Sequence, residues 1–152
     1  MNESNWLLKE VYTLTQEKKA DLDKSILPSP SSSSVHQPSS ENLLELILKV
    51  LDDNQAMEIV EIDLRGKSTI ADFMVIASGR SKRQVVSLSE KLIETLKLEF
   101  KIRTTIEGKE SGDWVLIDAG DIIIHLFRPE VRNFYQIEKL WLPTESQARE
   151  SK

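Results

Sequence analysis

Residues 112–127 read Gly112-Asp113-Trp114-Val115-Leu116-Ile117-Asp118-Ala119-Gly120-Asp121-Ile122-Ile123-Ile124-His125-Leu126-Phe127. Two β-rich runs flank a short polar interruption containing glycine, which is the pattern of a β-hairpin. If Ala119 and Gly120 are the two central residues, outward counting sets Asp118 opposite Asp121, Leu116 opposite Ile123 and Trp114 opposite His125. Side chains alternate across a sheet, so those six share one face with Phe127. The other face carries Val115, Ile117, Ile122, Ile124 and Leu126 and is purely aliphatic, which makes it the seat for helices.

The elements around the hairpin follow from periodicity. Leu43, Leu44, Ile47, Leu48 and Leu51 recur at helical spacing after Ser39 or Ser40, either of which can cap a helix that ends at Asp52-Asp53-Asn54. Residues 57–64 put Val60, Ile62 and Leu64 on one side of a strand, and Gly66 to Thr69 is turn-like. A second strand runs from about Asp72 to Ser78 and Gly79 breaks it. Ser81-Lys82-Arg83-Gln84 has the form of a capping box, in which serine caps the first turn and glutamine returns the bond. Val85, Leu88, Leu92 and Leu96 continue that helix over 82–98. Strands are predicted at about 102–107, 113–118 and 121–128. Pro129 suits the start of a last helix over 130–140, closed by Pro143. The fold class is α+β, with a mixed five-stranded sheet and helices packed on it.

Composition narrows the function classes. The 152 residues include no cysteine, which removes disulfides, thiolate metal sites and cysteine nucleophiles. His36 and His125 are the only histidines, too few for a histidine-rich metal site. The formal charge of −5 is the wrong sign for a general nucleic-acid binder and suits a basic protein partner better. No run approaches the ~20 apolar residues of a membrane span. The N-terminal residues lack the layout of a secretory signal, and Glu3, Glu10, Glu17, Asp21 and Asp23 are unlike a transit peptide, so a cytoplasmic protein is expected. Trp6, Val11 and Leu14 fall loosely on one side of a short helix at 5–19, although an isolated helix of that length is marginal in water. Ser25 to Ser40, with Pro28, Pro30, Pro38 and the Ser31–Ser34 run, reads as a linker. The expected division is therefore an extension over 1–40, a domain over 41–143 and a polar tail over 144–152.

Within the hairpin, the Trp114 face mixes an indole, an imidazole and carboxylates with smaller apolar groups. Tryptophan is enriched at interface hot spots, so this face is a candidate partner surface, and a helix covering Trp114 as core is the alternative. His125, mid-strand, is read as a satisfied structural residue in preference to a ligand or base. Asp118 and Asp121 flank a turn, where carboxylates often accept local amide hydrogen bonds.

Three segments together resemble a known family. They are Asp72-Phe73-Met74-Val75-Ile76-Ala77-Ser78-Gly79-Arg80-Ser81-Lys82-Arg83-Gln84, the 112–127 hairpin, and Arg132-Asn133-Phe134-Tyr135-Gln136-Ile137-Glu138-Lys139-Leu140-Trp141. In this order and spacing, over roughly residues 41–142, the chain is similar to the Iojap family, the ribosomal silencing factors. The resemblance implies a nucleotidyltransferase-like core without the catalytic motif, and neither a cofactor nor a metal. It implies binding to the large ribosomal subunit through its fourteenth protein, a steric block of subunit joining, and repression of translation under nutrient limitation. Trp114 matches the family's tryptophan on the ribosome-facing surface, and Trp114, Leu116, Asp118, Ile123 and His125 are the expected partner-binding residues.

Two other readings compete. A nucleotidyltransferase needs a Gly-Ser turn at a helix start and two carboxylates two residues apart to hold magnesium. Gly79-Arg80-Ser81 resembles the turn, but Glu90 and Glu94 are four apart on a helix and Asp118 and Asp121 straddle a hairpin, so no enzyme is expected. Direct RNA binding, as in a ribosome biogenesis factor, would use Arg80, Lys82 and Arg83 at the helix start, here expected as a secondary contact to ribosomal RNA.

Overall fold

The computed structural model describes residues 37–141, so the expectations for the 5–19 helix, most of the linker and the C-terminal tail lie outside the described residues. Helix α1 (Ser40–Asp53) is capped by Ser39, whose side chain accepts from the Asn42 amide. Strands β1 (Met57–Asp63) and β2 (Phe73–Ser78) follow, then helix α2 (Lys82–Phe100). The hairpin segment comprises β4 (Trp114–Asp118) and β5 (Ile122–Phe127), preceded by a short β3 (Thr105–Glu107). Helix α3 (Pro129–Tyr135) and a single 3-10 turn (Ile137–Leu140) end the described chain.

The five strands order as β1-β2-β5-β4-β3, antiparallel except for the central β2–β5 pair, which is parallel. That gives the mixed sheet expected. Every residue of β2 is buried, as befits a central strand covered on both faces. Helices α1 and α2 cover the aliphatic face: Leu43, Ile47, Leu51, Val85, Leu88, Leu92 and Leu96 form one core with Val75, Val115, Ile117, Ile124 and Leu126.

The hairpin keeps its faces but not its expected register. Asp118 pairs with Ile123, Leu116 with His125 and Trp114 with Phe127. The Ala119 amide donates to the Ile122 carbonyl, so the central pair is Gly120-Asp121 and not Ala119-Gly120. Gly120 has φ +86° while Asp121 does not take a positive φ. This is the demand of a type II′ turn, which wants glycine at the first central position. Moving the turn by one residue shifts every partner by two, an even step, so each side chain stays on its predicted face.

Two other boundaries differ. The third strand starts at Thr105, not 102, because α2 closes with Lys101 in the left-handed region (φ 55°). The Lys101 and Ile102 amides turn back to the Lys97 and Leu96 carbonyls. The single helix expected over 130–140 is broken at Gln136, whose φ is 47°. The break lets Glu138 turn back and pair with Arg132 at 2.8 Å. In an unbroken helix residues six apart point about 240° apart around the axis and cannot meet.

Gly112, at φ +68°, is packed so closely on α2 that a Cβ there would sit 3.0 Å from Lys82 Cβ and 3.1 Å from its carbonyl oxygen. Gly120 has open space around it. Gly120→Ala is therefore expected to cost about 1 kcal/mol, the backbone penalty alone. Gly112→Ala, which adds overpacking, is expected to cost at least about twice that. Urea denaturation of the two variants checks the order; equal costs would mean that the approach to Lys82 yields freely.

Candidate functional site

The second face of the sheet carries Val60, Ile62, Met74, Ile76, Ser78, Ile123, His125, Phe127, Trp114, Leu116 and Asp118, read from the strand registers. Among the described residues its cover is slight: α3, the 3-10 turn and the adjoining Trp141 contribute Val131, Tyr135, Ile137 and Trp141 to a second core that also holds Leu64 and Ala71 around Trp114, Phe127, Ile76 and Ile62. The five residues expected to bind a partner are brought together on this face. They are not all at its surface. Trp114 is 1% exposed, and Leu116 and His125 are 2% exposed. Only Asp118 and Ile123 are half-buried.

This corrects the expectation of an exposed indole, and the reason is geometric. Tyr135 packs on the indole at 5.2 Å between ring centroids, and Phe127, directly opposite Trp114, lies at 4.8 Å. The indole N–H donates diagonally across the hairpin to His125 Nδ1 at 3.0 Å. Diagonal neighbours on one sheet face are within reach of an aromatic side chain. An accepting Nδ1 places the imidazole proton on Nε2 and requires the ring to be neutral. Burial agrees with this, pushing the His125 pKa down to about 3. His125 is the satisfied structural residue expected of it.

Above the indole the aromatic contacts continue outward. Phe134 meets Tyr135 edge-on at 4.9 Å and is itself 69% exposed. Leu140, in the 3-10 turn, is 78% exposed. A column of rings thus runs from Phe127 and His125 through Trp114 and Tyr135 to a surface phenylalanine. Sequence reading missed Phe134 and Leu140 because it assigned 130–140 to one helix and looked for the contact surface on the sheet beneath.

What fixes the cover is a buried arginine, also unforeseen. Arg132 is 5% exposed. Its guanidinium makes a two-pronged pair with Glu138 (Nε to Oε1 3.0 Å, Nη2 to Oε2 2.8 Å). Nη1 donates to the Ser78 hydroxyl at 2.9 Å and to the Glu58 carbonyl at 2.8 Å. Glu58 sits at the register shift in β1 with φ 48°. The bulge turns that carbonyl away from the ladder and toward the arginine. No periodicity announces such a residue; a polar side chain in a short helix reads as solvated.

The basic group at the start of α2 is surface. Arg80, Lys82 and Arg83 are exposed, and Lys82 lies 3.7 Å from Asp113, which is bound more closely by Arg128 at 2.7 Å. The Ser81 hydroxyl accepts from the Gln84 amide as a cap, and the Gln84 side chain returns to the Arg80 amide at 2.6 Å, one residue before the position a capping box would give. Among the carboxylates weighed for magnesium, Glu90 pairs with Lys109 and Asp118 accepts from the Gly120 amide. Among the described residues no group of three His, Cys, Asp or Glu side chains could hold a metal, and no helix is long and apolar enough to cross a membrane.

Comparison with known proteins decides the family. Residues 37–152 match the family model described as "Ribosomal silencing factor during starvation". The chain belongs to the ribosomal silencing factor family. It is 56% identical over 117 residues to the ribosomal silencing factor of Zymomonas mobilis, covering 76% of this chain and 88% of that one. It is 33% identical over 102 residues to a mouse protein named "Mitochondrial assembly of ribosomal large subunit protein 1", covering 64% of this chain and 44% of that one. A crystal structure from Chromobacterium violaceum superposes with a TM-score of 0.66 at 35% identity, over 70% of this chain and 92% of that one. One from Bacillus halodurans gives 0.61 at 36% identity, over 70% and 99%.

The silencing-factor domain should carry a pH signature from its buried imidazole. The unfolded ring takes a proton near pH 6.5 and the folded one only near 3, so the unfolded state binds more protons between those values. His125 therefore leaves stability untouched above about pH 6.5 and lowers it on acidification, by up to about 1.4 kcal/mol per pH unit. Between pH 6.5 and 5, before most carboxylates titrate, His125→Gln is expected to flatten this slope while keeping an acceptor for the indole. Denaturation midpoints at several pH values test it; parallel slopes would contradict a neutral, buried ring.

Proposed function

We propose that this protein binds the large ribosomal subunit through its fourteenth protein, obstructs the surface where the small subunit docks, and so represses translation when nutrients are limiting. Membership in the silencing-factor family supports the ribosomal setting, and the mouse relative's name points to the large subunit. The observation that carries the reading is the aromatic column, which ends in an exposed Phe134 on a thin helical cover that also exposes Leu140. Exposed apolar side chains on a cover packed over stacked rings have the make-up of an interface anchor. Asp118 and Ile123, half-buried at the margin of the same face, are the members of the expected set that touch the partner directly. Trp114, Leu116 and His125 hold that surface from beneath. A steric block needs no turnover, so the protein acts as a binder and not as an enzyme, and it works beside ribosomes in the cytoplasm. The domain that does this is residues 41–143.

Arg80, Lys82 and Arg83 add a secondary contact to ribosomal RNA. They are exposed at one helix start, and among the described residues neither Arg80 nor Arg83 forms an ion pair. Neutralising either should lower the salt dependence of ribosome binding by roughly one unit of log–log slope, with little change at high salt.

Trp114→Glu cannot separate contact from folding, since the site is buried. The surface pair can. Phe134→Asp with Leu140→Asp is expected to leave the fold intact and to weaken binding by at least about 30-fold, the ~2 kcal/mol typical of an interface hot spot. Sedimentation with purified subunits reads this as lost co-migration with the large subunit and restored joining. Undiminished co-migration of the folded double variant would refute the proposed surface.

A further inference from the structure

On the opposite face of the sheet, where α2 ends, Ile93, Lys97, Lys101, Ile102, Arg103 and Thr104 line an open cleft of about 500 Å³. Ile93 and Ile102, half-buried against the first core, make its floor, and the three exposed cations make its rim. Among the described residues no carboxylate lines this cleft, and none pairs with Lys97, Lys101 or Arg103, unlike Lys49, Arg65 and Lys109 elsewhere on the surface. The helix dipole accounts for Lys97 in the last turn of α2 and for Lys101 at its cap, but Arg103 lies beyond the helix. In a chain of net charge −5, three convergent cations over an apolar floor set up a local field of the opposite sign. A neighbouring hollow of about 290 Å³ shares Lys101, Ile102 and Arg103 and extends the surface past Leu43, Phe100 and Asp121.

Shape and lining select the occupant. A small ligand is held by burying most of its surface, which an open cleft does not do, so the occupant is a strip of a larger molecule. A nucleic-acid strand would leave the floor unused, since no residue lining the cleft offers a ring for base stacking. A bilayer takes up protruding apolar groups, not a recessed floor, and an anionic one is repelled by the overall charge. An acidic peptide with aliphatic side chains suits both parts: carboxylates meet the rim while apolar groups cover the two isoleucines.

We propose that the cleft at the end of α2 docks an acidic, aliphatic peptide segment of a partner protein, its apolar side chains on Ile93 and Ile102 and its carboxylates against Lys97, Lys101 and Arg103. The contact lies across the sheet from Phe134 and Leu140, so it stands or falls independently of the ribosome-binding surface.

The probe is a synthetic peptide of leucines separated by pairs of glutamates, titrated into the full-length ¹⁵N-labelled protein. The expected result is saturable shifts at the Ile93, Lys97, Ile102 and Thr104 amides. Lys97→Glu with Arg103→Glu should weaken binding at least about ten-fold, and that variant should take the lysine version of the peptide instead. Replacing the peptide's leucines by serine should weaken binding to a similar degree. Unchanged amides elsewhere show that the variant folds. No saturable shift at the cleft would overturn the proposal. So would equal binding of the serine peptide or of a uridine oligonucleotide, which would leave only a patch for polyanions. Cleft shifts that follow protein concentration without peptide would overturn it by placing a second copy there.

Discussion

The second face of this domain depends on one buried cation. Arg132 has lost nearly all contact with water, a burial that costs several kcal/mol unless the charge is paired and each nitrogen finds an acceptor. Here it is met by a carboxylate from the 3-10 turn, the hydroxyl at the end of β2 and a carbonyl freed by the β1 bulge. Three elements distant in sequence are thereby tied at one point, and removing one partner of such a pair costs about 3–5 kcal/mol. The break at Gln136 allows Glu138 to reach back, and beyond it Ile137 and Trp141 join the second core. Eleven residues of helix are too few to hold themselves in place by apolar contact alone, so the ion pair provides the alignment and the rings provide the packing.

Much of the architecture was legible beforehand because it is governed by short-range patterns. Alternation in Val115, Ile117, Ile124 and Leu126 identified the helix-facing side of the hairpin, and serine at 39 and 81 marked the helix starts. Glycine at the turn was recognised but assigned one position late within the central pair, an error invisible to the faces because it moves partners by an even step. What could not be read was anything set by tertiary contact. Arg132 looks like a solvated residue, the split of the last helix has no local signal, and the depth of Trp114 depends on Tyr135 and Ile137 arriving from a separate element.

The same distinction governs the site. Residue types marked the Trp114 face correctly as unusual, and the bond between indole and imidazole explains the pairing of those two side chains. The chemistry of that pair is structural: a neutral, buried ring accepting a hydrogen bond from the indole. In the proposed function the partner contact lies one layer outward, on the groups that the pair supports. A partner surface in this account is a supported patch, with aromatic rigidity below, a pinned helical cover in the middle and exposed apolar groups at the top. Family membership supplies the ribosomal context, and the local geometry supplies a physical reason for a surface at this place.

The most direct test is the exchange of the Trp114 indole proton with solvent, followed by NMR in the native protein and in Arg132→Met. If the guanidinium pins the cover, the variant should expose this proton and speed its exchange by at least ten-fold, while the β2 and β5 amides at the centre of the sheet stay protected. Equal protection of the indole in the two proteins would contradict the claim that Arg132 holds the second face together.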